Sequence, residues 1–400
     1  MRKKWNIGIL GCGNIADIYI LNIQKYFKNI CIVACAAKHI ENAKKIAIKY
    51  EIPKAVTVDE MLMDSEIEVI LNLTVPNVHF DLNCKILQAG KHVYSEKPLA
   101  LSLEEINILK QISEKTGKRI ACAPDTWLGE SIQTCMQMIQ ENRIGRIVSF
   151  TANLMNHGVE SWHPSPYAYY KEGGGPVLDM GPYYITTLVA LLGPVAEVKA
   201  YKNKGLDVRE IYSNPYKGEK IDVEVDTNYA ALLKLQSGVI GNLNMSFDIW
   251  NSKLPMLEIY GTKGTISVPD PNWFNGEVKV VEEKKILKNV YAMENHERIY
   301  SLNHLDNWYT YSKINPVYKT PSNNMRGLGL WDMLISIEKK QMHKNNIDLI
   351  AHVMEVLLKI NLGENNIFDE KIYNQCNPLQ PIFYQIQEEE GKSIWLDKEI

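Results

Sequence analysis

Absences bound this 400-residue chain before any motif does. It has no CxxC pair, no HExxH and no Cys/His cluster, so no run has the spacing of a zinc site and no metal is expected. Charge is nearly balanced: 44 Lys and Arg against 47 Asp and Glu leave a formal net charge of −3. That argues against a nucleic-acid partner or a polybasic membrane patch. Every apolar run is broken by charge or glycine short of a membrane span. No nucleophile elbow, internal repeat or low-complexity segment is present. The start Met1-Arg2-Lys3-Lys4 is basic, but the apolar run behind it meets Gly11 and Gly13, which predicts a first strand and not a signal peptide. The seven cysteines (Cys12, Cys31, Cys35, Cys84, Cys122, Cys135 and Cys376) are odd in number and scattered, which predicts buried free thiols in a reducing cytoplasm.

What is present is the make-up of a soluble globular protein, 46% hydrophobic and 23% charged, over a length that suggests two domains. Buried-type strands are predicted at Asn6–Leu10, Ile30–Ala36, Val69–Thr74, His92–Ser95 and Arg119–Ala123. They alternate with helices predicted at Ile15–Phe27, Ile40–Tyr50, Phe80–Ala89 and Leu103–Thr116. Such alternation implies an α/β Rossmann domain, a doubly wound parallel sheet, over residues 1–123. After Pro124 the pattern changes. Strands are predicted at Arg146–Asn153, Val195–Tyr201, Thr227–Gln236, Val239–Phe247, Met256–Tyr260 and Thr265–Val268, several joined by hairpin turns such as Ser237-Gly238. With helices at Ile132–Asn142, Met180–Leu192 and Asp348–Asn361, residues 124–400 read as an α+β domain with a mostly antiparallel open sheet. Ser322–Gly329 reads as loop, and the Asn- and Tyr-rich Ile286–Met325 as a long loop lining or covering a site.

Gly11-Cys12-Gly13-Asn14-Ile15-Ala16 follows the first strand and opens the first helix. In such a fingerprint Gly11 permits the tight turn, Gly13 lets a phosphate approach the backbone, and Ala16 lets the helix pack on the strand. Free amides at the helix start, around Asn14 and Ile15, then face a pyrophosphate. A plain glycine turn is the bland alternative, and the strand–fingerprint–helix context favours a dinucleotide. The second strand ends in Cys35-Ala36-Ala37-Lys38-His39, with no carboxylate. A carboxylate there accepts ribose hydroxyls and repels a 2′-phosphate. Its absence, with Lys38 as a cation, predicts NAD(P) with NADP slightly favoured; a solvated Lys38 and bound NAD is the competing reading.

Further motifs follow: Thr74-Val75-Pro76-Asn77-Val78-His79, Ala89-Gly90-Lys91-His92-Val93, Glu96-Lys97-Pro98-Leu99-Ala100, and the run from Gly173-Gly174-Gly175-Pro176 through Asp179-Met180-Gly181-Pro182-Tyr183-Tyr184. With the fingerprint, they resemble the Gfo/Idh/MocA oxidoreductase family over essentially the whole chain. The resemblance implies a Rossmann domain, a sheet-based second domain and catalysis in the cleft between them. Sugars, inositols and related polyols, oxidised or reduced at a carbinol carbon, are the implied substrates. The resemblance also implies that Thr74, Pro76, Asn77 and His79 lie along the cofactor, that Glu96 faces its ribose, that Lys97 is the catalytic lysine and that Asp179 is the family's aspartate. The chain departs from the pattern at Tyr183, where the family usually has histidine, and at Thr186, where an acidic residue is expected. A homo-oligomer formed through the broad sheet is a further expectation.

Hydride exchange at a carbinol carbon needs a group that hydrogen-bonds the hydroxyl and handles its proton. Lys97 suits this if burial and a positive nicotinamide ring lower its pKa from about 10.4. A lysine paired with Glu96, or solvated, is the alternative. Asp179 and Tyr183 are four apart at the apparent start of a helix and share one face, with Pro182 tolerated in the first turn. Asp179 reads as a carboxylate that orients a substrate hydroxyl or holds Lys97 charged, or else as an N-cap. Tyr183 reads either as a hydrogen-bond partner of the reacting oxygen or as a packing aromatic. Trp127, Trp162 and His163 are candidate substrate contacts, against the plainer reading of a packed connection. His352 is either a core histidine or a replacement for the missing relay histidine. Two other functions stay open: an NAD-dependent glycoside-cleaving enzyme that oxidises its sugar transiently, and a non-catalytic cofactor-binding regulator.

Overall fold

The computed structural model describes residues 3–283, 312–366, 370–382, 384–389 and 392–397. In the N-terminal part, β1 (Trp5–Leu10), α1 (Asn14–Tyr26), β2 (Ile30–Ala36), α2 (Ile40–Tyr50), β3 (Lys54–Val56), α3 (Val58–Met63), β4 (Val69–Asn72), α4 (His79–Gln88), β5 (His92–Ser95), α5 (Leu103–Thr116) and β6 (Ile120–Cys122) alternate along the chain. The six strands form one parallel sheet in the order β3-β2-β1-β4-β5-β6. Strands such as Val69–Asn72 are buried throughout because helices cover both faces of a parallel sheet. The order reverses between β1 and β4, so the crevice for a ligand opens there, at the carboxyl ends of the strands.

The chain continues through α6 (Glu130–Gln140), β7 (Ile147–Met155), α7 (Gly175–Leu192), β8 (Val195–Asn203), β9 (Val208–Glu210), β10 (Lys220–Asp222), β11 (Asn228–Leu235), β12 (Ile240–Ser246), β13 (Leu257–Gly261), β14 (Gly264–Val268), β15 (Lys279–Glu282) and β16 (Ser312–Lys313). An eight-stranded sheet runs β16-β15-β14-β13-β7-β12-β11-β8. Its pairs are antiparallel except β7 with β12. Alternate residues of β11 are buried and exposed, as expected of a sheet with one covered face. The covering helices are α7 and α9 (Ile347–Leu362), which also pack on each other.

Two readings of the sequence are corrected here. Helix α7 starts at Gly175, not Met180, so Pro182 lies inside it and not in its first turn. A proline there has no N–H to return to the preceding turn. The second correction is α8 (Leu328–Glu338), which the periodicity does not reveal. It is buried over most of its length and apolar nearly all round, so it has no polar stripe to give it away. The long loop read at Ile286–Met325 falls largely outside the described residues.

Candidate active site

The fingerprint residues form a cradle at the carboxyl end of β1. Gly11 has φ +103°, and a Cβ there would come within 2.6 Å of the Leu73 backbone, so only glycine fits. Gly13 is the N-cap of α1, is exposed, and has open space where a Cβ would point. No side chain caps α1, which leaves its first amides facing that space beside exposed Asn14 and half-buried Ile15. Ala16 is fully buried against the sheet. These residues fit a dinucleotide pyrophosphate. Lys38 is exposed just beyond β2, at the same end of the sheet.

The neighbouring loop after β4 is held by a polar chain. Asn72 Oδ1 accepts from the Thr74 hydroxyl at 2.6 Å, and its Nδ2 donates to Asn83 at 2.9 Å. Pro76 and Asn77 are exposed at the crevice edge. His79 is not: it is fully buried, with Nδ1 2.6 Å from the Pro98 carbonyl and Nε2 2.9 Å from the Thr74 carbonyl. It ties the Thr74 loop to the Lys97-Pro98 loop, and the expectation that it lies along the cofactor is corrected. Glu96 is also mostly buried, accepting from the Tyr19 hydroxyl at 2.7 Å and from the Lys97 amide at 3.0 Å.

Lys97 leaves the end of β5 and reaches α7. Its Nζ donates to the Asp179 carbonyl at 2.6 Å and to Asp179 Oδ1 at 2.8 Å, with both side chains less than a fifth exposed. Burial works against the ammonium, but Asp179, Tyr183 and Glu96 outweigh it and hold its pKa above the ordinary lysine value. The lowered pKa expected from the sequence is therefore corrected for this state: Lys97 is a charged hydrogen-bond donor. Asp179 lies in the second turn of α7 and is not its N-cap, a position Gly174 takes.

One helical turn on, Tyr183 is 6% exposed, with its ring centroid 5.4 Å from Lys97 Nζ. Its hydroxyl accepts from Arg326 Nη2 at 3.2 Å. Arg326 is the site residue that sequence reasoning missed. No local pattern marks it, because its meaning comes from a contact across 143 positions of chain. His163 is half-buried, with Nε2 3.3 Å from the Tyr169 hydroxyl and Nδ1 accepting the Ser165 amide at 3.1 Å. Burial lowers its pKa, opposed by the charge of Asp179. Trp162, 65% exposed, stands edge-on to His163. His163 is near enough to the Lys97 partner Asp179 to feel its charge.

Two other candidates lie elsewhere. Trp127 is fully buried and donates to Asn345 Oδ1 at 2.7 Å, while Asn345 in turn donates to the carbonyls of Cys122 and Pro124. It locks the chain where it leaves the first sheet and has no access to substrate. His352 is also fully buried: Nε2 accepts the Val195 amide at 3.1 Å and Nδ1 lies 2.7 Å from the Asn374 carbonyl. Both ring nitrogens are engaged by backbone, so it does not replace a relay histidine. An apolar cavity behind Lys97, lined by Pro182, Thr186 and Leu349, separates it from α9.

A parallel sheet with a phosphate cradle, joined to an open sheet whose helix presents a carboxylate to Lys97, defines a two-domain dinucleotide-binding oxidoreductase. Comparison with known proteins agrees. The family described as "Oxidoreductase family, NAD-binding Rossmann fold" matches residues 5–123, and its partner "GFO/IDH/MocA C-terminal domain" matches residues 132–267. The chain belongs to this GFO/IDH/MocA family and is an NAD(P)-binding oxidoreductase. An uncharacterized oxidoreductase of Schizosaccharomyces pombe is 30% identical over 181 residues, 42% of this chain and about half (48%) of that protein. The trans-1,2-dihydrobenzene-1,2-diol dehydrogenase of Bos taurus is 26% identical, over 71% of this chain and 79% of its own. Among solved structures, the apo form of a levoglucosan dehydrogenase superposes with a TM-score of 0.75 at 18% identity, covering 94% of this chain and all (100%) of the other, a likeness of fold. No helix among the described residues is long and apolar enough to cross a membrane.

Proposed function

We propose that this protein is an NAD(P)-dependent dehydrogenase or reductase that moves hydride between nicotinamide and the carbinol carbon of a sugar, inositol or related polyol, with Lys97 as general acid and base. The observation that carries the reading is the Lys97–Asp179 contact of 2.8 Å, at the same end of the first sheet as the Gly11–Ala16 cradle. Dehydrogenases of a dihydrodiol and of an anhydrosugar among the similar proteins support the substrate class.

When bound, the nicotinamide supplies or accepts the hydride. The chain's own residues handle the oxygen. As an ammonium, Lys97 donates to a carbonyl oxygen and gives it a proton during reduction. In the oxidative direction Lys97 must first give up a proton to solvent, which the contact with Asp179 opposes; the neutral amine then accepts the hydroxyl proton. Tyr183 presents a second polar group to the same oxygen, while Trp162 and His163 contact the sugar from outside. Lys38, with no carboxylate beside it at the end of β2, favours NADP slightly.

The exposed sheet face carries Tyr201, Leu232 and Ile240, which supports a homo-oligomer formed through it. A monomer by sedimentation would overturn that point. The seven cysteines are all free, as suits a reducing cytoplasm. The function is tested with a panel of sugars, inositols and 3-keto sugars, with and without a glycosidic leaving group, assayed with both cofactors. Accumulating reduced nicotinamide, or its consumption by a keto sugar, is expected. Bond cleavage without net cofactor change would move the protein to glycoside cleavage, and no turnover of any kind would leave a cofactor-binding regulator.

A further inference from the structure

Arg326 is a buried guanidinium, 9% exposed, on the loop leading into α8. That loop is pinned from two sides. Asn22 of α1 donates through Nδ2 to the carbonyls of Asn324 and Arg326, both at 2.9 Å. Asp125, just past β6, accepts the amides of Gly327 at 3.1 Å and Gly329 at 2.9 Å. The side chain is fixed as well: Nη1 donates to Asn324 Oδ1 and Nη2 to Asn272 Oδ1, each at 2.9 Å. Its remaining contact is the one to Tyr183 Oη at 3.2 Å. Burial opposes the charge, but Tyr183, Glu96 and Tyr19 outweigh that and keep Arg326 cationic.

A guanidinium has donors and no acceptor. At this contact the Tyr183 oxygen therefore accepts, and its own hydrogen must point elsewhere. No second partner of that hydroxyl is present among the described residues. The ring lies beside Lys97 Nζ, one helical turn from Asp179, so the free hydrogen belongs to the same reaction site.

We propose that Arg326 is a positioning residue: by filling an acceptor site of Tyr183 Oη, it fixes the phenol as a hydrogen-bond donor to the reacting oxygen of the substrate. Lys97 handles the proton. Tyr183, polarised by the guanidinium behind it, stabilises negative charge that develops on the same oxygen. A guanidinium anchored through both Nη atoms does this without reorganising during the reaction. This deepens the dehydrogenase reading above and rests on it for its catalytic consequence. The Arg326–Tyr183 contact itself can be tested independently of turnover.

The test uses the full chain with Arg326→Met, Arg326→Lys, Tyr183→Phe and the double variant Arg326→Met/Tyr183→Phe, with thermal unfolding and NADH fluorescence titration as controls for folding. With levoglucosan, glucose and inositol as probes, Arg326→Met is expected to lower kcat by about tenfold to a thousandfold with KM little changed. Arg326→Lys should recover part of the loss, since it keeps a charged donor. The double variant should be no worse than Tyr183→Phe alone, because both changes remove one shared interaction. A kcat within about threefold of wild type in Arg326→Met, or losses that add in the double variant, would overturn the proposal. Tyrosine labelled at 13Cζ gives the second readout, with the Tyr183 line assigned by its loss in Tyr183→Phe. That line should shift in Arg326→Met and stay in place in Lys313→Met, a surface control. Should the wild type turn over none of the probes, the dehydrogenase reading has failed on its own and this line still decides. An unmoved Tyr183 line in Arg326→Met overturns the positioning role.

Discussion

The ammonium of Lys97 meets Asp179 twice, at its backbone carbonyl and at its carboxylate, 2.6 and 2.8 Å away. One residue comes from the end of a Rossmann strand and the other from a helix that covers the second sheet. The contact therefore spans the two halves of the molecule and fixes the protonation state of the lysine. Removing the lysine should remove the proton chemistry and spare the fold. Lys97→Met is expected to lower kcat/KM by about a hundredfold to ten thousandfold, the range for losing a general acid or base. NADH binding, followed by fluorescence, should persist. Turnover within a few-fold of wild type, with cofactor still bound, would exclude Lys97 from the role.

Asp179 raises the pKa of Lys97, so the neutral lysine needed for oxidation is scarce near neutrality. Oxidation should therefore speed up with rising pH, while reduction should not. Asp179→Asn removes the opposing charge and leaves burial, which lowers an ammonium pKa. The alkaline rise in the oxidative kcat/KM should then move to lower pH, whatever happens to its height. A rise that stays at the wild-type pH would show that the carboxylate does not set the protonation of Lys97.

The cofactor preference is open to a direct titration. Lys38 stands exposed where a ribose-reading carboxylate would stand, so NADPH should bind at least as tightly as NADH. Lys38→Glu should weaken NADPH more than NADH. NADH binding at least tenfold tighter in the wild type would rule out the preference for NADP.

Two histidines make the fold sensitive to acid. Burial depresses the pKa of both His92 and His343 to about 4. His343 keeps Nε2 2.9 Å from the Ile120 carbonyl, and His92 Nδ1 accepts the Arg119 amide at 2.9 Å. In the unfolded chain each takes up a proton near pH 6.5, and in the folded chain only near 4. The unfolded state thus binds more protons between those values. Stability is fully present above about pH 6.5 and falls as the pH drops toward 4, by on the order of 3 kcal/mol per group. Thermal unfolding at pH 7.5 and pH 5 should show the loss, and a His92→Gln/His343→Gln variant should lose less between the two. An equal loss in the variant would assign the acid sensitivity to other groups.

Gly11→Ala should abolish cofactor binding or folding, since a Cβ there meets the Leu73 backbone at 2.6 Å and the φ of +103° is strained for alanine. Gly13→Ala meets no protein atom, so it should fold normally and weaken the dinucleotide only. Unfolding midpoints with and without NADH separate the two. A Gly13→Ala protein with wild-type NADH affinity would remove the cradle from the binding site.

Much of this protein is written in short stretches of sequence. The alternation of buried strands with amphipathic helices gave the first sheet, and hairpin spacing gave most of the second. The fingerprint gave the cradle, because a tight turn, a close backbone approach and a helix start depend on neighbouring residues. Helix α8 was hidden because burial on nearly every side erases the polar stripe that periodicity needs. His79, Trp127 and His352 looked available for ligands because a sequence does not say which backbone carbonyls and amides will occupy their polar atoms.

Sequence by itself determined the residue types at the site and the local turns that carry them: glycines at the cradle, a lysine at the end of β5, an aspartate and a tyrosine one helical turn apart. Only the tertiary structure decided what those residues face. Lys97 and Asp179 are 82 positions apart, and Tyr183 and Arg326 are 143 apart. Local geometry fixes which residues share a helix face or a turn. Partners this distant are chosen by the packing of whole elements, and that packing makes Lys97 a held ammonium and makes Arg326, a loop residue to which the sequence assigns no chemistry, the neighbour of the Tyr183 phenol.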